Sequence, residues 1–196
     1  MNRKKAAVIF ITLFSIICLL PLKTEAALHP YFNAQDFYDS YNFWIENGNQ
    51  RSSDFQTPLL ESLTAINESD REFVGYFDDT FPNAKIFIGL NKYGKIASIH
   101  VIKEIDGFTQ LHGKTFPTDI SAFNNVAAYI LMVLEYPTNT NSYRQKLGDV
   151  IAEMAYNYDN KKQYTLYNPV TEVSYLLYYK YYKGELSLSI TQYTGK

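Results

Sequence analysis

The sequence predicts an α+β fold: an antiparallel sheet of about six strands with helices packed on one face. Three observations predict it. Apolar and polar residues alternate with a period of two in two separate regions, 72–102 and 163–193. Between those regions, two segments repeat apolar residues at helical spacing, around Ile120–Leu134 and Tyr143–Tyr158. Regular alternation of single strands with single helices, which a doubly wound parallel sheet requires, is absent. The 196 residues suit one domain after a leader, residues 27–196; the alternative is two helix-plus-three-strand halves, 27–115 and 116–196.

The leader comes first. Arg3, Lys4 and Lys5 precede an uncharged apolar run from Ala6 to Leu20, and Pro21 ends it. That run of 15 residues is shorter than the ~20 a helix needs to cross a bilayer, so a cleaved secretory signal is expected rather than an anchor. Thr24 and Ala26 are the small residues that signal cleavage before Ala27 requires. Loss of residues 1–26 takes four basic residues and one acidic one, leaving 14 basic and 19 acidic. So acidic a chain has no cationic footprint for a phosphate backbone, and nucleic-acid binding is not expected. Cys18 leaves with the leader. The mature chain is then free of cysteine, which excludes disulfides, thiolate metal sites and cysteine catalysis.

The elements follow in order. Asn33 to Gly48 begins at a capping residue and spaces Phe37, Tyr41, Trp44 and Ile45 for one helical face, with Gly48 expected to close the helix. Residues 49–57 are polar and irregular. Leu59 to Ile66 has no clean period, so its type stays open. Glu72–Phe77, Ala84–Leu90 and Lys95–Ile102 read as a meander whose second turn is Asn91–Gly94, with Gly94 free to take a positive φ. A four-residue loop there sets Ile88 opposite Ala97 and Ile86 opposite Ile99. One face then carries Ile86, Ile88, Leu90, Ala97, Ile99 and Val101, and the other Lys85, Phe87, Ser98 and His100.

Residues 106–117 are expected to be loop. Ile120, Phe123, Ala127, Ile130, Leu131 and Leu134 then make a core helix ended by Pro137. Ser142 with Gln145 three residues on suggests a capping box for the next helix, which buries Leu147, Ile151 and Met154. Gln163–Tyr167, Val173–Tyr182 and Glu185–Tyr193 return to strands. A tight turn at Lys183–Gly184 opposes Tyr181 to Leu186, Tyr179 to Leu188 and Leu177 to Ile190, turning Leu176, Tyr178, Lys180, Ser187, Ser189, Thr191 and Tyr193 outward.

Familiar catalytic motifs do not fit. Gly107–Thr115 ends in Gly-Lys-Thr, yet five residues separate its glycines where a phosphate loop has four, and Pro117 follows where a helix should run. No nucleotide is therefore expected. His29, His100 and His112 stand in no metalloprotease spacing and no nucleophile elbow is present. Asp78, Asp79, Glu104 and Asp106 offer oxygens to a divalent ion only if their strand ends meet, and turn formation explains them equally well. Neither a metal nor a cofactor is expected.

Tyrosine is the compositional anomaly: 18 residues, with Tyr175, Tyr178, Tyr179, Tyr181 and Tyr182 close together. A large ring with a hydroxyl and few rotamers suits recognition surfaces, although it is also an ordinary strand former. The resulting expectation is an exported, secreted or periplasmic/cell-envelope protein of bacterial type, without a transmembrane span after cleavage and without enzymatic activity. Its outer sheet face, Phe87, His100, Tyr178, Lys180 and Tyr193, would engage protein or glycan in the envelope or outside the cell. The alternative is an envelope hydrolase with a site around His100 and a carboxylate such as Glu104 or Asp106.

Overall fold

The computed structural model describes residues 32–50, 56–66, 71–135, 141–160, 162–168, 173–182 and 184–192. The predicted leader, Pro137 and Tyr193 lie outside them, as do the side chains of Leu147 and Tyr179. Among the described residues the chain is α+β, with an antiparallel seven-stranded sheet, a separate two-stranded hairpin and three helices.

Helix α1 (Ala34–Asn49) starts at Asn33. Its side chain accepts from the Asp36 N–H at 2.9 Å, and the Asp36 carboxylate accepts from the Asn33 N–H at 3.0 Å. This reciprocal cap satisfies two amide donors that the first turn leaves open. Phe37, Tyr41 and Ile45 are fully buried, each contributing roughly 1.5–3 kcal/mol. Trp44 is half-buried. Gly48 does not close the helix, which runs on to Asn49 and a right-handed Gln50. Gly48 is instead a contact point: a Cβ there would lie 2.2 Å from the Tyr129 hydroxyl.

The stretch left open by the sequence forms β1 (Leu60–Ala65), an edge strand kinked between Leu60 and Ser62. Asn42 of α1 grips the Leu60 backbone, donating to its carbonyl and accepting from its N–H, each at 2.9 Å. The irregular burial of β1 reflects that helix contact, which is why period-two alternation is missing. β2 (Glu72–Phe77) and β3 (Ala84–Leu90) keep the predicted bounds, and β4 (Ile96–Glu104) starts and ends later than expected.

The β3–β4 register differs from the expectation. Ile86 faces Val101 and Ile88 faces Ile99, two residues further along than predicted. Asn91 is the cause: its side-chain oxygen accepts from the Tyr93 and Lys95 N–H groups at 3.0 Å each, and its own N–H donates to the Lys95 carbonyl. The loop therefore closes over three residues with Gly94 at φ 71, and a register shift after Gly89 leaves Ala97 as the extra residue. A two-residue displacement preserves sidedness, so Ile86, Ile88, Ile99 and Val101 are all buried, with Ile96 taking the place expected of Ala97.

The expected loop 106–117 contains a hairpin, β5 (Phe108–Leu111) and β6 (Lys114–Pro117). Its two turn residues, His112 and Gly113, have φ of 50 and 76, the double left-handed turn that a two-residue hairpin favours. The Gly-Lys-Thr ending is thus a turn glycine followed by the start of a strand.

Helix α2 (Ile120–Glu135) buries Phe123, Val126, Ala127, Ile130, Leu131, Val133 and Leu134. Helix α3 (Asn141–Tyr156) begins one residue before Ser142, which is therefore inside its first turn. No described helix is long and apolar enough to cross a membrane. The chain then returns as β7 (Lys162–Asn168), β8 (Val173–Tyr182) and β9 (Glu185–Gln192). The β8–β9 register is as predicted, with Tyr181 opposite Leu186, Tyr179 opposite Leu188 and Leu177 opposite Ile190.

The strand order β1-β2-β3-β4-β9-β8-β7 places the last strand of each run side by side at the centre of the sheet. Four strands precede the helix pair and three follow it. Leu177, Leu186, Leu188 and Ile190 join the isoleucines of β3 and β4 and the apolar stripes of the helices in one core. Period-two geometry turns the intervening residues to the opposite face of the sheet.

Candidate functional site

That opposite face is where four of the predicted site residues, Phe87, His100, Tyr178 and Lys180, fall; Tyr193 lies outside the described residues. Each strand contributes one residue to a transverse row, Thr64, Val74, Phe87, His100, Ser189, Tyr178 and Gln163, every neighbour paired across the ladder. Phe87, His100 and Tyr178 were expected on one face; the sheet places them in one line. Lys180 sits in the adjoining row opposite Ser187. The row spans six inter-strand steps, about 29 Å, and none of its seven members is charged.

The residues of this row are mostly half-buried, because on a pleated sheet each side chain is shielded by its neighbours. Tyr178 is thus on the predicted face but less exposed than expected. Tyr76 and Tyr167, on the same face, expose 45% and 51% of their surface. Lys85 reaches over the Tyr76 ring at 5.7 Å. The Phe87 and His100 rings lie 6.3 Å apart with 32° between their planes, close enough to share one surface.

His100 is held from β9: its Nδ1 is 2.8 Å from the Ser189 hydroxyl. Burial lowers the His100 pKa below its ordinary 6.5, a hydrogen bond that the ring donates to the Leu188 carbonyl opposes this, and Lys180 adds to the lowering. The ring is therefore biased toward its neutral form. Lys180, rather than Lys85, is the cation it feels; the Lys85 ammonium lies over the Tyr76 ring.

A depression of about 230 Å³ opens beside this ring, lined by Ile66, Glu72, Phe73, Phe87, Ile88, Gly89, Ser98 and His100. Gly89 forms part of its floor. A Cβ there would stand 2.5 Å from the Ser98 hydroxyl, so a side chain at this position of β3 would force that hydroxyl to move.

Several expected groupings do not form. Glu104 lies four residues beyond His100 on β4, about 13 Å along the strand, and faces Glu185. Asp106 is bound instead to Lys103, whose Nζ is 2.7 Å from its carboxylate, and this holds the carboxyl below its ordinary range. Neither carboxylate reaches His100, so these two do not supply the partner that the sequence suggested for it. Asp78 is occupied as a turn former, accepting from the Leu59 N–H at 2.8 Å and from the Thr80 N–H at 3.0 Å. Among the described residues no three acidic, histidine or cysteine side chains are grouped to hold a metal ion.

Sequence reasoning missed that Glu72 and Gly89 line the same depression as His100. Strand alternation alone placed Ser98 and Ser189 on its face. Glu72 and Gly89 depend on the β2–β3 pairing, Glu72 opposite Gly89, which no local signal specifies. Comparison with protein-family models, with curated proteins and with solved structures finds no match to the chain.

Proposed function

We propose that this is a non-enzymatic binding module of the cell envelope or its exterior, which engages protein or glycan through the uncovered face of its sheet. The observation that carries the reading is the uncharged transverse row from Val74 through Phe87, His100, Ser189 and Tyr178 to Gln163. The row combines the rings of Phe87, His100 and Tyr178 with the hydroxyls of Ser189 and Tyr178, which supply contact area and directional hydrogen bonds at low rotamer cost. The helical layer packs against the opposite face, which leaves this one to present the row. Export, which the leader predicts, is part of the same proposal.

The test is co-sedimentation of the purified protein with the insoluble envelope fraction of its host. Wild type should be retained, and a Phe87→Ala/Tyr178→Ala variant should lose retention at least tenfold while keeping its circular dichroism spectrum and cooperative melting. Equal retention of a folded double variant overturns the face. Turnover of chromogenic ester or glycoside substrates that disappears in His100→Ala would replace the reading by an enzymatic one.

A further inference from the structure

The depression over β2, β3 and β4 has a more specific chemistry than the face as a whole. We infer that it is a subsite for one ring of a neutral, hydroxyl-rich glycan, an inference that rests on the binding-module reading and names its ligand class.

Size is the first argument. At about 230 Å³ the depression is smaller than the roughly 300–1,000 Å³ that houses a drug-sized ligand, so it takes a ring-sized fragment and not an extended side-chain cluster. Lining chemistry is the second. Phe87 and Ile66 give one apolar boundary, with Ile66 half exposed at the rim. Glu72, Ser98 and His100 give the other, a carboxylate, a hydroxyl and an imidazole. A sugar ring has that division: an apolar C–H face suited to an aromatic surface, and equatorial hydroxyls that both donate and accept. Among the described residues no lysine or arginine lines the depression, so they offer a phosphate or carboxylate ligand no counter-charge.

His100 fits the same ligand. Its Nδ1 is engaged by Ser189, and burial favours the neutral ring, so it interacts as a dipole rather than as a cation. The third argument is Gly89. A side chain there would force the Ser98 hydroxyl to move, and glycine inside a strand otherwise weakens it. Finally, the depression opens onto the uncharged row, which leads away through Ser189, Tyr178 and Gln163. Adjacent rings of one glycan chain could therefore occupy subsite and row together.

The experiment titrates isotopically labelled protein with cellotetraose, maltotetraose and chitotetraose in turn, reading amide chemical shifts. At least one tetrasaccharide should move the Gly89, Ser98 and His100 signals saturably. Glu72→Ala, at an exposed strand start, should weaken that binding at least tenfold, and Gly89→Val should abolish it. If Gly89→Val fails to fold, Phe87→Ala is expected to give the same loss. Shifts confined to Tyr76, Tyr178 and Gln163 would overturn the subsite while leaving glycan recognition by the face intact. Silence with all three sugars, together with envelope retention abolished by protease treatment of the envelope, would overturn the subsite and make the partner a protein. Loss of envelope retention by no face variant would overturn both readings. Saturation of the same signals by tetramethylammonium at lower concentration than by any sugar would show a cation site and overturn the inference.

Discussion

His100 Nδ1 and the Ser189 hydroxyl lie 2.8 Å apart across the seam between β4 and β9. The contact joins residues 89 positions apart, at the seam of the sheet where a strand before the helix pair is paired with one after it. A polar contact on a half-buried surface of this kind fixes ring orientation, and thereby the surface that Phe87 and His100 present together.

The burial of His100 predicts a pH dependence. An unfolded histidine titrates near 6.5, and in the folded protein burial lowers the His100 value. The unfolded chain therefore binds more protons in the window just below 6.5, so stability rises with pH through that window. The contribution of the neutral ring is complete above about 6.5 and is lost as pH falls below it. Melting temperature should decline on acidification from pH 7 to 5.5, and His100→Gln should flatten that decline. An unaltered slope in the folded variant would assign the decline to other groups.

Much of the sheet was legible in the sequence, and what was not has physical causes. Ile86, Ile88, Leu177, Leu186, Leu188 and Ile190 alternate cleanly because one face of their strands is buried and the other is not. The β8–β9 register followed from a short turn at Gly184, whose φ is 86. The β3–β4 register did not, because the Asn91 side chain, rather than loop length, sets where pairing resumes. β1 was illegible because helix contacts on its edge interrupt its period. The 108–117 hairpin was hidden by its length, four residues per strand, with every β5 residue exposed. For the site, alternation put Phe87, His100, Tyr178 and Lys180 on one face. The alignment of three of them in a single row, and the arrival of Glu72 at the depression, depend on long-range pairing that no local pattern encodes.

Leu188 tests the central register. It is fully buried on β9, opposite Val101 and Tyr179. Leu188→Ala should cost about 2–5 kcal/mol by denaturant unfolding, the range for a packed leucine truncated in a core. Ser189→Ala, on the opposite face, should cost about 1 kcal/mol, the net value of one ordinary hydrogen bond. Equal losses at the two positions would show that the faces are assigned wrongly.

Gly48 and Tyr129 test the packing of α1 against α2. In an exposed helix, Gly→Ala gains about 1 kcal/mol of propensity. Here the added Cβ would meet the Tyr129 hydroxyl at 2.2 Å and its ring carbon at 3.2 Å, so the ring must move. Gly48→Ala alone should therefore forfeit that gain or destabilise. In a Tyr129→Phe background the nearest obstacle is gone, and Gly48→Ala should recover most of the gain. A double-mutant cycle by thermal unfolding should give a coupling above about 0.5 kcal/mol, as contacting residues do; additivity would mean the helices do not approach at Gly48.

Lys103 provides the last prediction. It points into the core from β4 and is wholly buried, with its ammonium 2.7 Å from Asp106, 3.4 Å from Asp119 and 5.6 Å from the centre of the Phe81 ring. Its Nζ also donates to the Glu104 carbonyl. The three ionic partners are not equivalent, because Asp106 and Asp119 keep 45% and 21% of their side-chain surface in water while Lys103 keeps none. Removing the lysine leaves two carboxylates that water can solvate; removing the carboxylates leaves a buried ammonium with one carbonyl. Stranding a buried charge costs roughly 3–5 kcal/mol, whereas replacing a buried ionic group by an apolar one of similar volume is often close to neutral. Lys103→Met should therefore destabilise less than half as much as Asp106→Ala/Asp119→Ala. Acid should act as the double variant does: the lowered carboxyl of Asp106 contributes above its ordinary value of 3.8, and that contribution is lost as pH falls through the folded-state value below it. Urea unfolding of the three proteins at pH 7 decides the order, and a Lys103→Met loss equal to or larger than that of the double variant would mean that the ammonium, not its burial, is what the fold requires.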